Sequence, residues 1–425
     1  MPPVDRIVVD RAPWATRVAF LAAGAVVELW VEATDRPSLL GGVALARVTA
    51  TIPRLGSAIV AIPDGEALLS DRPAVEGGRL LVQIARDASG GKRAVARAAV
   101  ELADGAVVLT PARPGIGLAA AIGGKARRAA LRSALEALIP EDVGLLVRSA
   151  AADLPPEIVI ATAVRLLRRW QDLQATARLL QPPSWVEPPV PLLDAARAQA
   201  PGVEPEVDDS GRLFEECGAA DALEAALARR VPLAGGGELV VDATEAATLI
   251  DVNLPSGGGR DGFRRANEAA GVQALRQVRL RGLRGTVLLD LPRMADRAAR
   301  AAVLERIREA AAEDPTPVRV LGWTPGGMLE FVREGARRPL ADDILEARDT
   351  TRLAPRAAAW SALAGLRREA GRIGRPLLLV APEVARWLDG PGQPILQQER
   401  RRLGHLTVRV DPSLAPEEFR VESDD

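Results

Sequence analysis

Short runs of β-branched and aliphatic residues, interrupted every few positions by Gly, Pro or Asp, fill the first 110 residues. Arg6–Val9, Val26–Val31, Gly42–Ile52, Ala58–Ile62, Leu80–Ile84 and Ala106–Leu109 each have the length and composition of a strand, so the pattern predicts a β-rich region that includes a small barrel. From Gly123 the apolar positions take up helical spacing. Ala126–Leu138 predicts a helix, Val143–Arg148 a strand, and Glu157–Leu180 a long helix. Pro182, Pro183, Pro188, Pro189 and Pro191 then punctuate the chain, and 181–210 reads as a connector because proline-rich stretches sustain neither a helix nor a ladder.

Beyond it, Asp221–Arg230 predicts a helix, Glu238–Val241 and Thr248–Val252 adjacent buried strands, and Phe263–Leu280 a long basic helix entered through the Gly-rich Ser256–Gly259. Thr286–Leu291 and Val318–Gly322 read as further strands flanking an amphipathic helix, Arg297–Ala312. This alternation implies a sheet covered by helices. Roughly 352–425 repeats helix and strand in Ala357–Gly371, Pro376–Ala381, Gln397–Leu403 and Leu406–Val410, as a small separate α/β unit would.

A chain of 425 residues exceeds one ordinary core, which points to two to four domains. With 48% apolar and 26% charged residues it is not a disordered chain. Val18–Val27 and Leu377–Val380 are too short or too interrupted to cross a bilayer, and Met1–Asp10 carries charges where a signal peptide needs an apolar stretch, so a cytoplasmic protein without a membrane span is expected. Cys217 is alone, which excludes a disulfide framework or a multi-cysteine zinc site within one chain. The net charge of −1 conceals a large balanced pool in which Lys92 and Lys125 are the only lysines. It neither demands nor excludes a nucleic-acid partner. Tyr is absent and aromatics make up 3%, a poor supply of base-stacking platforms.

Two aspartates carry the candidate chemistry. Asp251 and Asp290 each close an apolar run that reads as a buried strand, and carboxylates at the tips of adjacent strands converge at one sheet edge. Mg²⁺ takes one or two carboxylates, keeps several waters and completes its shell with phosphate oxygens, and the nearby amide of Asn253 suits such a site. Strand-end aspartates also cap turns, so spacing alone leaves both readings open.

The run VVDATEAATLIDVN resembles the signature of the bacterial ribonuclease E/G family, with Asp251 and Asn253 on its metal-binding DxN and VLLD placing Asp290 on its second metal carboxylate. RQVRLRGLRG and GGMLEFVREGARRPL are similar to the family's following helix-turn and downstream segment. LVQIARDASGGKRAVARAAVELADGAVVLTP resembles its oligonucleotide-binding barrel, where Lys92 and Arg93 sit on the basic turn that faces RNA. ALIPEDVGLLVRSAAA resembles its sensor for a 5′-monophosphate, with Arg148 and Ser149 as phosphate ligands. The resemblance implies an α/β multidomain fold: RNase H-like and DNase I-like α/β parts, an inserted OB-type β-barrel and a small C-terminal α/β domain. It divides the chain into 1–38 (first RNase H-like segment), 39–110 (barrel), 111–180 (sensor), 181–232 (connector and shortened second RNase H-like segment), 233–345 (catalytic DNase I-like domain) and 346–425 (linker and small domain). It implies an Mg²⁺-dependent endoribonuclease acting on single-stranded RNA, Asp251 and Asp290 holding the metal and Asn253 orienting water or phosphate.

The sequence departs from the family pattern in several places. Leu254, Pro255 and Ser256 stand where SGR is usual, Arg293 where a further Asp is usual, and Pro325 where an arginine is common. Ile59 and the aliphatic Leu68 and Leu69 occupy expected aromatic positions of the barrel. LEARDTTRLAPRAAAW replaces the two-cysteine zinc link, so a zinc-linked tetramer is not expected, whereas a homodimer stays open. These departures keep an alternative in view, a non-hydrolytic RNA-binding paralogue of the same fold. His405, the one histidine, lies far from the acidic centre and is expected in a surface or packing role.

Overall fold

The computed structural model describes residues 3–255, 259–294, 296–346, 352–369 and 375–424, so the expected Gly-rich entry Ser256–Gly259 lies largely outside the described residues. The chain divides into two compact units, Met1–Pro37 with Pro191–Asp425, and Ser38–Val190. Three antiparallel strands open the first unit: β1 (Arg6–Arg11), β2 (Ala15–Ala22) and β3 (Ala25–Ala33). Apolar side chains stand on both faces of this meander. Ile7, Val9, Val18 and Phe20 enter one core, while Val8, Ala19, Leu21 and Leu29 enter another. That is why the strands read as near-continuous hydrophobic runs.

In the second unit, β4 (Val43–Ile52), β5 (Ser57–Ile62), β6 (Gly65–Leu69), β7 (Arg79–Arg86) and β8 (Ala94–Arg97) form a five-stranded barrel, closed because β7 pairs with both β8 and β4. Its small interior is filled by Val48, Val60, Ile62, Leu69, Val82 and Ile84. A second sheet combines β9 (Leu102–Asp104), β10 (Val107–Thr110), β11 (Gly115–Leu118) and β12 (Gly144–Val147). Helices α1 (Lys125–Glu136) and α2 (Pro156–Leu179) pack on it through Leu131, Leu135, Val159, Ala163 and Leu166. Strand β13 (Ser184–Glu187) pairs with β4, and the ends of the unit meet where the Val190 amide donates to the Leu40 carbonyl at 3.1 Å.

Back in the first unit come α3 (Leu192–Gln199), β14 (Glu206–Asp208), α4 (Arg212–Glu216) and α5 (Ala219–Leu227). The connector expected over 181–210 is therefore corrected: it carries a strand, a helix and a strand. The prolines fall outside the ladder positions, between elements, and Pro191 occupies the N-cap of α3, where its missing N–H costs nothing. β14 runs parallel to β1 with Asp10 opposite Asp208, completing a sheet of order β14-β1-β2-β3. The helix expected to reach Arg230 ends at Leu227, and β15 (Arg230–Pro232) begins the next sheet.

That sheet has the order β15-β16-β17-β18-β20-β19, with β16 (Glu238–Ala243), β17 (Thr248–Asn253), β18 (Gly285–Asp290), β19 (Val318–Trp323) and β20 (Leu329–Arg333). The helices α6 (Gly259–Leu280) and α7 (Arg297–Ala312) supply Ala270, Ala274, Val278, Val303 and Ile307 to a core with Leu239, Val241, Ile250, Val252, Val287 and Leu289. Gly271 permits the close approach of α7: a Cβ there would lie 2.5 Å from Ile307 Cδ1. The chain continues through α8 (Leu340–Ile344) and the paired β21 (Leu345–Glu346) and β22 (Arg352–Leu353) to α9 (Pro355–Glu369). A final three-stranded sheet, β23 (Pro376–Val380) between β24 (Thr407–Val410) and β25 (Phe419–Ser423), carries α10 (Pro382–Asp389) and α11 (Gln393–Leu403). His405 is half exposed beside Asp424, 3.6 Å away, as a surface residue would be. No helix among the described residues is long and apolar enough to cross a membrane.

Buried charge ties the first unit together. Arg279 on α6 donates to Glu28 on β3 at 3.0 Å, both side chains about 5% exposed or less, and Trp30 Nε1 donates to the same carboxylate. Because Arg279→Ala leaves that carboxylate without its buried cation, it is expected to cost about 3–5 kcal/mol by urea unfolding, and a loss below ~1 kcal/mol would refute the role. Asp343 is buried among Arg338, Arg36 and Arg356, and burial, outweighing the three cations, pushes its carboxyl up to about 6. A carboxyl raised on folding contributes stability that is complete below about pH 4, its unfolded range, and is lost as pH rises through about 6. The thermal midpoint of Asp343→Asn should therefore gain on that of wild type between these pH values; a constant difference would show that this carboxyl does not titrate there.

Candidate active site

Period-two alternation sets the site. In β17 the side chains of Thr248, Ile250 and Val252 are buried, and those of Leu249, Asp251 and Asn253 face outward. In β18 Val287 and Leu289 are buried and Asp290 is exposed. The two strands run parallel with Asp251 opposite Asp290, so both side chains stand on the same open face of the sheet, on backbones about 4.8 Å apart. Asn253 Nδ2 donates to Asp251 Oδ2 at 3.0 Å, and Asp290 has no hydrogen-bond or ion-pair partner among the described residues.

The neighbouring strand shows what a structural acid looks like here. On β16, Asp242 is bound by Arg229 through two hydrogen bonds, which hold its carboxyl below the usual range, and Glu238 is bound by Arg230. Asp251 and Asp290 lack such a cation among the described residues. Two adjacent uncompensated carboxylates and a neutral amide make an all-oxygen donor set that fits a hard divalent cation. No third His, Cys, Asp or Glu joins them as a metal-holding cluster among the described residues.

The surroundings come from turns at the same sheet edge. Leu233–Gly237 forms the turn before β16, and Gly237, at φ +87°, lies so close to β17 that a Cβ would meet the Asn253 carbonyl oxygen at 2.1 Å. Thr324–Met328, which contains Pro325, joins β19 to β20 beside the end of β18. Arg293 is exposed on the segment leading to α7, whose N-cap Asp296 accepts from the Ala298 amide. Leu254 and Pro255, with Arg230, Pro232, Gly237, Glu238 and Asn253, line a shallow groove of about 480 Å³ next to the site.

Thus Asp251, Asn253 and Asp290 are brought together as expected. Lys92, Arg93, Arg148 and Ser149 lie in the other unit, on separate elements. Lys92 closes the Ser89–Lys92 turn between β7 and β8, and Arg93 pairs with Glu66 of β6 at 2.9 Å. Arg148 is exposed after β12, its amide fixed by the Ala106 carbonyl at 2.8 Å, and Ser149 opens a short 3₁₀ turn. Ile59 and Leu68 are register partners and both half-buried, while Leu69 fills the barrel interior. Gly237, Arg230 and Glu238 were not singled out by the sequence reading. The three consecutive glycines 235–237 were a usable signal for the first, whereas nothing local marks the other two.

Two outward carboxylates on adjacent parallel strands, one of them held by an amide, have the donor chemistry of a divalent-cation site. Comparison makes the class specific: the profile of the ribonuclease E/G family matches residues 102–196 and 191–336, and the chain belongs to that family. It is similar to ribonuclease G of Salmonella typhimurium, 24% identical over 78% of this chain and 80% of the relative, and to ribonuclease G of Escherichia coli K12, 23% identical over 79% and 80%. A ribonuclease E/G-like chloroplastic protein of Arabidopsis thaliana is 28% identical over 62% of this chain and 31% of its own length.

Gly237→Ala should move the Asn253 backbone and destabilise the fold by about 1–3 kcal/mol, since both the positive φ and the space are lost. Thermal unfolding together with calorimetric titration of Mg²⁺ checks this. Unchanged stability and unchanged ion affinity would show that the turn does not set the site.

Proposed function

We propose that this chain is an endoribonuclease that cleaves single-stranded RNA in RNA processing or decay, with Mg²⁺ held by Asp251 and Asp290. The endoribonuclease activity follows from family membership. The ion and the strand preference are our reading, and the observation that supports the ion most is the register that sets Asp251 opposite Asp290 without a cation between them.

Phosphodiester hydrolysis needs charge neutralised on the scissile phosphate and a water made nucleophilic, and a bound divalent ion supplies both. The protein's part is placement. Asn253 fixes the Asp251 carboxylate by donating to Oδ2, which leaves Oδ1 for a ligand. The sheet holds Asp290 alongside with no competing partner among the described residues. Helix α7 starts seven residues after Asp290, and its N-terminal end carries the positive pole of the helix, which favours an anion.

Lys92, Arg93, Arg148 and Ser149 are assigned to RNA in the same reading. The Arg93–Glu66 pair is exposed at both ends and worth about 0–1 kcal/mol, so a phosphate can displace Glu66. Arg148 offers a guanidinium and Ser149 a hydroxyl for a 5′-monophosphate. We read the β14-β1-β2-β3 sheet as the RNase H-like part, the six-stranded sheet as the DNase I-like part and the closed barrel as the OB-type module.

Asp251→Asn and Asp290→Asn should each lower cleavage of a 5′-monophosphorylated single-stranded RNA roughly 100-fold or more at fixed Mg²⁺, with EDTA abolishing wild-type cleavage. Cleavage that survives both variants, or survives EDTA, would remove the metal from the reading.

A further inference from the structure

The open face of the catalytic sheet carries a row of register partners: Arg230 on β15, Val240 on β16, Asp251 on β17 and Asp290 on β18. One row further on stand Pro232, Glu238 and Asn253. Past the carboxylate pair towards β15, the surface dips into the 480 Å³ groove, so groove and metal site share Asn253 as a common wall. Leu254, Pro255 and Pro232 give the groove apolar sides. At its rim the Arg230 guanidinium, 61% exposed, is held by the Glu238 carboxylate, 31% exposed.

A strand of RNA lying with one phosphate at Asp251 and Asp290 has to place a neighbouring nucleotide here if it runs towards β15. The groove matches such a nucleotide: apolar walls for the faces of base and ribose, and a paired donor fork and acceptor at the height of the base edge. Arginine donors and a carboxylate acceptor are the groups that discriminate bases by their exocyclic atoms. An exposed Arg–Glu pair gives up little when it turns to a ligand.

We propose that this groove seats the nucleotide adjoining the scissile phosphate, and that Arg230 and Glu238 read its base, giving the nuclease a preference at one position of the substrate. The proposal rests on the catalytic reading of Asp251 and Asp290. Leu254 and Pro255 form the wall, and Arg230 and Glu238 are specificity residues that hold neither metal nor reacting atoms.

The test is cleavage, with Mg²⁺, of 5′-monophosphorylated single-stranded RNA pools randomised on both sides of one cleavage site, for wild type, Arg230→Gln, Glu238→Gln and Leu254→Ser. Wild type should favour one base at one flanking position. Arg230→Gln and Glu238→Gln should weaken that discrimination by roughly tenfold while preferences elsewhere persist. The Arg230 side chain is exposed and that of Glu238 half-buried on the same rim, so these variants keep the test open if Leu254→Ser unfolds. A uniform wild-type profile, or a preference intact in both exposed variants, overturns the proposal and leaves the catalytic reading standing. If wild type cleaves nothing, the catalytic reading fails instead, and the groove is judged on binding. Photocrosslinking of 4-thiouridine-substituted RNA in EDTA should then label the peptide containing Leu254 and Pro255, and no label there sinks the groove.

Discussion

Two neighbouring strands running in the same direction, with an aspartate of one directly opposite an aspartate of the other, are the constraint on which the six-stranded sheet turns. Parallel pairing needs a crossover, and α6 provides it. The crossover helix must cover one face of the sheet, which commits Ile250, Val252, Val287 and Leu289 to the core. Period two then leaves Asp251 and Asp290 no choice but the other face. A one-residue slip of β18 would bury its carboxylate among aliphatic side chains. The closeness of the two carboxylates is therefore imposed by the core.

Electrostatic partners are distributed so that this pair stays uncompensated. The acids of β16 are matched by Arg229 and Arg230, those of the interior by Arg279, Arg333 and Arg338. Guanidinium groups serve elsewhere as struts to backbone: Arg128 donates to the carbonyls of Ala119, Ile122 and Leu118, and Arg127 to that of Leu154. Arginine abundance here is largely structural, which is why net charge and cation count said so little about the substrate.

Much of the six-stranded sheet is legible in the sequence because its strands are either uniformly apolar or sharply alternating, and Asp251, Asn253 and Asp290 fall where strand ends are expected. Membership of the family was legible for the same reason, the motif and the strand ends coinciding. Strands such as β6, β8, β20 and β25 escaped because they are short or carry mixed polar residues, and their pairing is decided by distant partners. The prolines of 181–210 suggest an unstructured connector, yet they lie between elements, and the strand Ser184–Glu187 fits between two of their pairs. Arg230 and Glu238 belong to a site only through cross-strand register, which no local pattern encodes.

The meeting of Leu40 and Val190 has a consequence for the order in which the molecule is made. Everything between them is a self-contained excursion with adjoining ends, whereas the sheet it interrupts has its centre at β1 and its parallel edge at β14, some 200 positions later. During synthesis from the N-terminus, the insert can mature while β1 still waits with one side unpaired. The host unit thus holds an open strand through the emergence of an entire module. When β14 arrives, its three residues cover only Val8, Val9 and Asp10 of that side, so the host sheet is closed by a very short edge.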